Sequence, residues 1–228
     1  MSIILDEMRK SSEVSYGDFT AKLIPTLERE KIIGVRAPIA KKIAKKYAGG
    51  TAGENFLSSL PHAYHDEYIL HAYMLVHLSL PFEEMKSRIE ELLPYVDNWA
   101  VCDSLCASIK RFFGDRARAF DFLLECLRSD KVYTVRFGLV CMLDYYIGDE
   151  YICDVIDAIK AVRSEEYYIN MALAWLVSIM LIKQYEKTLP LLLDGVLDVW
   201  VHNKAITKFR ESHVPSDTEK SYLKSLRR

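Results

Sequence analysis

Trp99 and Asp103 stand four residues apart in the stretch Asp97-Asn98-Trp99-Ala100-Val101-Cys102-Asp103. That spacing stacks two side chains on one face of a helix. An aromatic face beside a fixed negative charge attracts a cation, through the ring quadrupole and through direct Coulomb attraction. The same residues also suit an ordinary helix start, capped by Asp97 or Asn98, with Trp99 anchored in the core. An acidic side chain next to an apolar anchor needs a partner, which favours a site at Asp103.

Positive charge is the second chemical resource. Lys41-Lys42 with Lys45-Lys46 form one cluster, and Lys204, Lys208, Arg210, Lys220, Lys224, Arg227 and Arg228 form another. Each reads equally as a solvated helix face or as a phosphate-binding surface. The chain carries 30 Lys and Arg against 32 Asp and Glu, a formal charge of −2. Such a balance does not itself indicate a nucleic-acid binder, so that function would rest on local clustering.

Other chemistries find less support. Five cysteines lie in apolar helical segments without a CxxC pair, which predicts reduced, buried thiols. The six histidines include no HExxH. His62 and His65 are three apart and read as neighbouring surface residues, so no metal and no cofactor is assigned. The longest apolar run is broken by Lys183, so no membrane span is expected. The charged start Met1-Ser2-Ile3-Ile4-Leu5-Asp6 is unlike a signal peptide, and a cytoplasmic location is expected.

The elements that must position these residues read almost entirely as helix. Residues 3–10 form a short amphipathic helix, and a second runs from 38 to 47 behind Pro38. The intervening region, about Ser15 to Ile33, contains Pro25 and reads as partly extended. Beyond Gly53, apolar residues recur at three and four, as in Phe120, Leu123, Leu124 and Leu127. Breaks at Leu60-Pro61, Leu80-Pro81, Gly114-Asp115, Ser129-Asp130, Gly148-Asp149, Arg163-Ser164, Leu189-Pro190 and Val214-Pro215 divide the chain into helices of 12 to 18 residues. No strand is expected.

A repeat organises these helices. Tyr64, Trp99, Tyr133, Tyr168 and Trp200 each stand near a helix start, at separations of 35, 34, 35 and 32 residues. Helix pairs of this period are the signature of stacked helical repeats. The expected fold is all-α, an α-solenoid of HEAT-like repeats forming a single domain over 1–228. Equivalent helix positions then share one face, which places Asp103, Arg136 and Lys204 along it, with Trp175 further along its own helix. Tyr64 and Tyr168 read as gap-filling residues between repeats.

The ordered set Gly34-Val35-Arg36-Ala37-Pro38, Asp97-Asn98-Trp99-Ala100-Val101-Cys102-Asp103, Tyr133-Thr134-Val135-Arg136-Phe137 and Ala172-Leu173-Ala174-Trp175 resembles the bacterial DNA alkylation repair family. These are HEAT-like-repeat DNA glycosylases of the AlkD type, and the resemblance runs from about residue 30 to the C-terminus. It implies excision of cationic N3- or N7-alkylated purines from duplex DNA held on a concave basic face. It also implies Asp103 as the catalytic carboxylate, Trp99 and Trp175 flanking the lesion's sugar and phosphate, and Arg136 at the DNA backbone. Arg36, Lys41, Lys45, Lys204 and Lys208 are the expected DNA-binding residues, duplex DNA the expected partner, and a monomer the expected state. Family members grip DNA with a longer helical N-terminal segment, so the 15–33 region is where this chain departs. A non-catalytic HEAT-like scaffold that binds DNA or protein is the alternative.

Overall fold

The computed structural model describes residues 2–228. Among them are fourteen α-helices and three short 3-10 turns, with no strand. The chain forms two compact units, one ending at Asp115 and one spanning Arg116–Arg228.

In the first unit, α1 (Ile3–Lys10), α2 (Val14–Leu23), α3 (Ala37–Tyr47), α4 (Thr51–Leu57), α5 (His65–Leu75), α6 (Phe82–Leu92) and α7 (Trp99–Ser108) follow in order. Helices α3, α5 and α7 lie side by side, and α1 packs behind against α3 and α4. The sequence accounts for that layering. On α3 the stripe Ala40, Ile43, Ala44 is buried while Lys41, Lys42, Lys45 and Lys46 stay outside, a 3.6-residue amphipathic pattern. Glu7 of α1 accepts from Lys46 Nζ at 2.6 Å and from the Tyr47 hydroxyl at 2.7 Å. Those bonds, the Lys46 one foremost, hold its carboxyl below the ordinary range.

The second unit contains α8 (Arg116–Leu127), α9 (Val132–Tyr145), α10 (Ile152–Lys160), α11 (Tyr167–Lys183), α12 (Tyr185–Leu193), α13 (Val199–Glu211) and α14 (Asp217–Ser225). Here α9, α11 and α13 lie side by side, with α8 behind α9 and α12 behind α11. Helix α11 is apolar nearly all round because it is enclosed by neighbours on both flanks. Gly138 lets α8 and α9 approach, since a Cβ there would lie 3.0 Å from Leu127 Cδ2 and 3.3 Å from the Leu123 carbonyl. Phe137 beside it is fully buried, and its truncation to alanine would cost about 3–5 kcal/mol. Both units are therefore stretches of HEAT-like α-solenoid, paired helices stacked on their neighbours.

The repeating aromatics stand where their spacing puts them. Tyr64 is the N-cap of α5, Trp99 the first residue of α7, and Tyr133, Tyr168 and Trp200 the second residues of α9, α11 and α13.

Several details differ from the sequence reading. Helix lengths run from 7 to 17 residues. Leu189-Pro190 is not a break: Pro190 lies inside α12, and the chain turns instead at Gln184, whose φ of −138° and ψ of 51° leave the helical region. A proline in the second turn of a short helix costs one hydrogen bond, which the fold tolerates. The region from 15 to 33 is more helical than expected, because α2 runs to Leu23 and stops one residue before the position that Pro25 bars from the helix. Cys102, Cys106, Cys126 and Cys141 are buried as expected, but Cys153 is exposed on α10.

Candidate nucleic-acid interface

Helix α7 begins with a strong cap. Asn98 Oδ1 accepts from the backbone N–H groups of Ala100 and Val101, both at 3.1 Å. The cap is therefore Asn98 and not Asp97, whose carboxylate instead accepts from Asn98 Nδ2 at 2.8 Å. Trp99 and Asp103, one turn apart, are both half-buried. Trp99 is thus neither a pure core anchor nor an exposed ring.

Trp99 lines a cleft of about 150 Å³ between α2, α5 and α7. Tyr16 and Phe19 of α2, Tyr73 and His65 of α5, and Ser104 of α7 share that lining. The wall formed by α2 is tied to α5 by a buried carboxylate. Asp66 accepts from the backbone N–H groups of Ile33, Gly34 and Val35 at 2.7, 3.1 and 2.7 Å. Gly34, at φ +91°, lies so close to α2 that a Cβ would come within 2.5 Å of the Glu13 carbonyl and 2.9 Å of Gly17 N. Glu13 N donates to the Gly34 carbonyl at 2.9 Å. Arg36 completes the tie, with Nε 2.9 Å from both Glu13 carboxylate oxygens and its guanidinium 4.9 Å from the Tyr16 ring centre.

A second, larger groove of about 460 Å³ adjoins the first and shares Tyr73 with it. Lys41, Lys42 and Lys45 of α3, His77, and Ala107 and Ser108 of α7 line it. Lys41 Nζ stands 5.1 Å from the centre of the Tyr73 ring. His77 is held below its ordinary basicity by partial desolvation first and then by Lys45 and Arg111. Three lysines of the first basic cluster, all exposed, thus border a groove against the helix that carries Trp99 and Asp103, while Lys46 pairs with Glu7.

Arg136, Trp175, Lys204 and Lys208 belong to the second unit. Arg136 of α9 is 5% exposed, and its Nη1 donates to the Tyr168 carbonyl in α11 at 3.1 Å. Trp175 is half-buried two turns beyond Tyr168. At the helix starts, the rings of Tyr133, Tyr168, Tyr167 and Trp200 form a chain with successive centroids 5.7, 5.2 and 5.8 Å apart. Lys204 Nζ lies 6.0 Å from the Trp200 ring centre, and Lys208, one turn further on, is partly exposed. The far end of the C-terminal basic run is tied down, with Arg228 bonded to the Gly195 carbonyl and to Asn203.

The histidines differ from the surface pair expected. His62 and His65 are both buried and face different partners. His62 Nε2 meets His71 Nδ1 at 2.9 Å, whereas His65 Nδ1 meets Asn98 Nδ2 at 3.3 Å. Burial lowers all three pKa values, to about 4 for His62 and about 3 for His71.

Sequence reasoning did not single out Tyr16, Phe19, Asp66 or Tyr73, and it read His65 as a surface residue. One signal was present, since Tyr16, Phe19, Thr20 and Leu23 recur at the three-and-four spacing of a single helix face.

Fold and site together define an all-helical repeat protein with a lysine-lined groove beside a tryptophan–aspartate helix. The family model for DNA alkylation repair enzymes matches residues 5–208, and the chain belongs to that family. Membership gives it a role in DNA repair. A comparison with curated proteins gave no match. No helix among the described residues is long and apolar enough to cross a membrane, and no group of three or more potential metal ligands occurs among them.

Proposed function

We propose that the protein hydrolyses the N-glycosidic bond of cationic N3- or N7-alkylated purines in duplex DNA, acting as a monomer and as one HEAT-like domain over 1–228. The observation that carries this reading is the half-buried Trp99–Asp103 pair on a helix that also borders the Lys41–Lys45 groove, in a chain of the DNA alkylation repair family. An alkylated purine is already a cationic leaving group, so the reaction needs neither a strong general acid nor a cofactor. The C1′–N bond breaks, its electron pair neutralises the purine, and positive charge develops on the sugar. The Asp103 carboxylate stabilises that charge and accepts the proton of the water that adds to C1′. Trp99 offers a ring face to the same cation, worth about 0.5–2 kcal/mol, and the family resemblance assigns Trp175 a role at the lesion's sugar and phosphate. Arg136 supplies a forked donor to a phosphate, while Arg36, Lys41, Lys45, Lys204 and Lys208 neutralise backbone charge.

Methylated duplex DNA incubated with the protein releases 7-methylguanine and 3-methyladenine under this reading, and the Asp103→Asn variant releases them at least a hundredfold more slowly. Equal release by the variant, or none by the wild type, sinks it.

One observation favours a second reading. Arg136 is nearly inaccessible and spends an N–H on Tyr168, as a residue joining two repeats would. A non-catalytic scaffold would bind duplex or branched DNA, lose affinity on Lys204→Ala, and release no base.

A further inference from the structure

We propose that His77 is a phosphate-binding residue of the lysine groove, and that duplex DNA bound there places one proton on its ring. The proposal rests on DNA as the partner of that groove, which the glycosylase and the scaffold readings share, and not on base excision. The groove of about 460 Å³ combines basic and apolar lining. Lys41, Lys42, Lys45 and His77 stand beside Tyr73 and Val76, and no carboxylate lines it. The three lysines, His77 and Val76 are all exposed. Cationic side chains suit a phosphate and apolar ones a deoxyribose, the two groups that a nucleic-acid backbone presents in turn.

His77 stands where a small change of field decides its charge. It follows the last turn of α5, with its backbone N–H bonded to the Met74 carbonyl at 3.0 Å, and the negative end of a helix dipole favours an imidazolium. Against that act desolvation first, and then the charges of Lys45 on α3 and of Arg111 in the 3-10 turn Lys110–Gly114. Lys41 and Lys42 are the other charged groups of the lining. A phosphate oxygen entering the groove reverses the balance, because it offsets the cationic neighbours and accepts an N–H from the protonated ring. One proton passes from solvent to a ring nitrogen, and no covalent bond of the DNA breaks. Affinity therefore rises as the pH falls through the pKa of the bound state and levels off below the lower pKa of the free protein.

The test is fluorescence anisotropy with the full chain and an unmodified duplex, at pH 8 and pH 6 and constant salt concentration. Wild-type affinity should rise about threefold or more on acidification. The slope of log K against log salt concentration should steepen by up to about 0.9, the share of one further phosphate. His77→Gln, a neutral substitution at an exposed position whose fold circular dichroism checks, should lose most of both changes. In the wild type, the NMR titration midpoint of the His77 imidazole should rise when the duplex is added. Affinity independent of pH, an equal gain in His77→Gln, or an unmoved midpoint overturns the proposal, and no binding at either pH overturns it together with the DNA role of the groove. The duplex carries no lesion, so pH-linked binding without base release refutes only the glycosylase reading. Base release with binding independent of pH removes only the role of His77.

Discussion

Asn98 and His65 meet at 3.3 Å, side-chain amide to Nδ1, so one asparagine both starts α7 and sets the protonation of a histidine on α5. Its carbonyl is committed to capping by the bonds from Ala100 and Val101. Burial keeps the His65 pKa low, although the neighbouring Asp66 and Asp97 act in the opposite direction. The neutral ring then has one tautomer available.

Two substitutions separate these roles. Asn98→Ala removes the cap and should lower stability by about 1 kcal/mol, within the range of 0.5–2, as read from the urea midpoint. Asn98→Asp keeps a good cap but sets a carboxylate against His65, which raises its pKa. NMR titration of the imidazole should then show a higher midpoint than in the wild type, and an unchanged midpoint would contradict the tautomer assignment.

The lysine groove makes a quantitative claim about salt. Each phosphate neutralised contributes about −0.9 to the slope of log K against log salt concentration. Lys41→Gln with Lys45→Gln should therefore reduce the slope for a duplex by about 2, measured by fluorescence anisotropy over a salt series. If the slope is retained, Lys41 and Lys45 contact no phosphate.

The helical repeat was legible because its cause is local. The three-and-four recurrence of apolar residues and the return of an aromatic every 32 to 35 positions follow directly from stacking one helix pair on the next. Trp99, Asp103 and the α3 lysines were also visible, as residue types in a pattern. The cleft was not. Its walls come from α2, α5 and α7, and Asp66 reads in sequence as one more acidic residue in a first helical turn. Pro190 misled for a related reason: proline signals a lost donor, but not whether a short helix has already begun. The histidines misled because burial depends on the neighbouring helix, and a pair three apart gives no sign of it.

Gly34 cannot carry a side chain. At φ +91°, with the Glu13 carbonyl 2.5 Å from where a Cβ would lie, Gly34→Ala combines a left-handed backbone penalty of about 1–2 kcal/mol with a steric clash. The variant should lose at least that much stability by thermal or urea unfolding, and should loosen α2, seen as faster amide exchange over 14–23. Protection equal to wild type would mean that α2 is held by other contacts.

The His62–His71 pair gives the fold an acid edge. Both pKa values are depressed by burial, to about 4 and about 3, with His62 and then Arg88 adding to the effect at His71. Unfolded histidine takes up its proton near 6.5, so the stabilising contribution is complete above that pH. It is lost as the pH falls from 6.5 towards 4 for His62 and towards 3 for His71. At pH 5 the loss is on the order of 2 kcal/mol for each ring. Urea unfolding at pH 7.5 and pH 5 should show it, and His71→Gln should flatten the dependence; an equally steep dependence in the variant would assign it to other groups.

Asp66 joins to no side chain of α2, yet it decides where α2 stands. By gripping three consecutive amides of the 33–35 turn it fixes that turn to α5, and the turn in its own right is pressed against Glu13 and Gly17. The two walls that carry Tyr16 and Tyr73 are thus gauged against each other by one carboxylate. Were Asp66 to let go, the turn would stay bound to α2 through Arg36 and the Gly34 carbonyl but would lose its hold on α5, and the spacing of the two walls would be released at that one hinge.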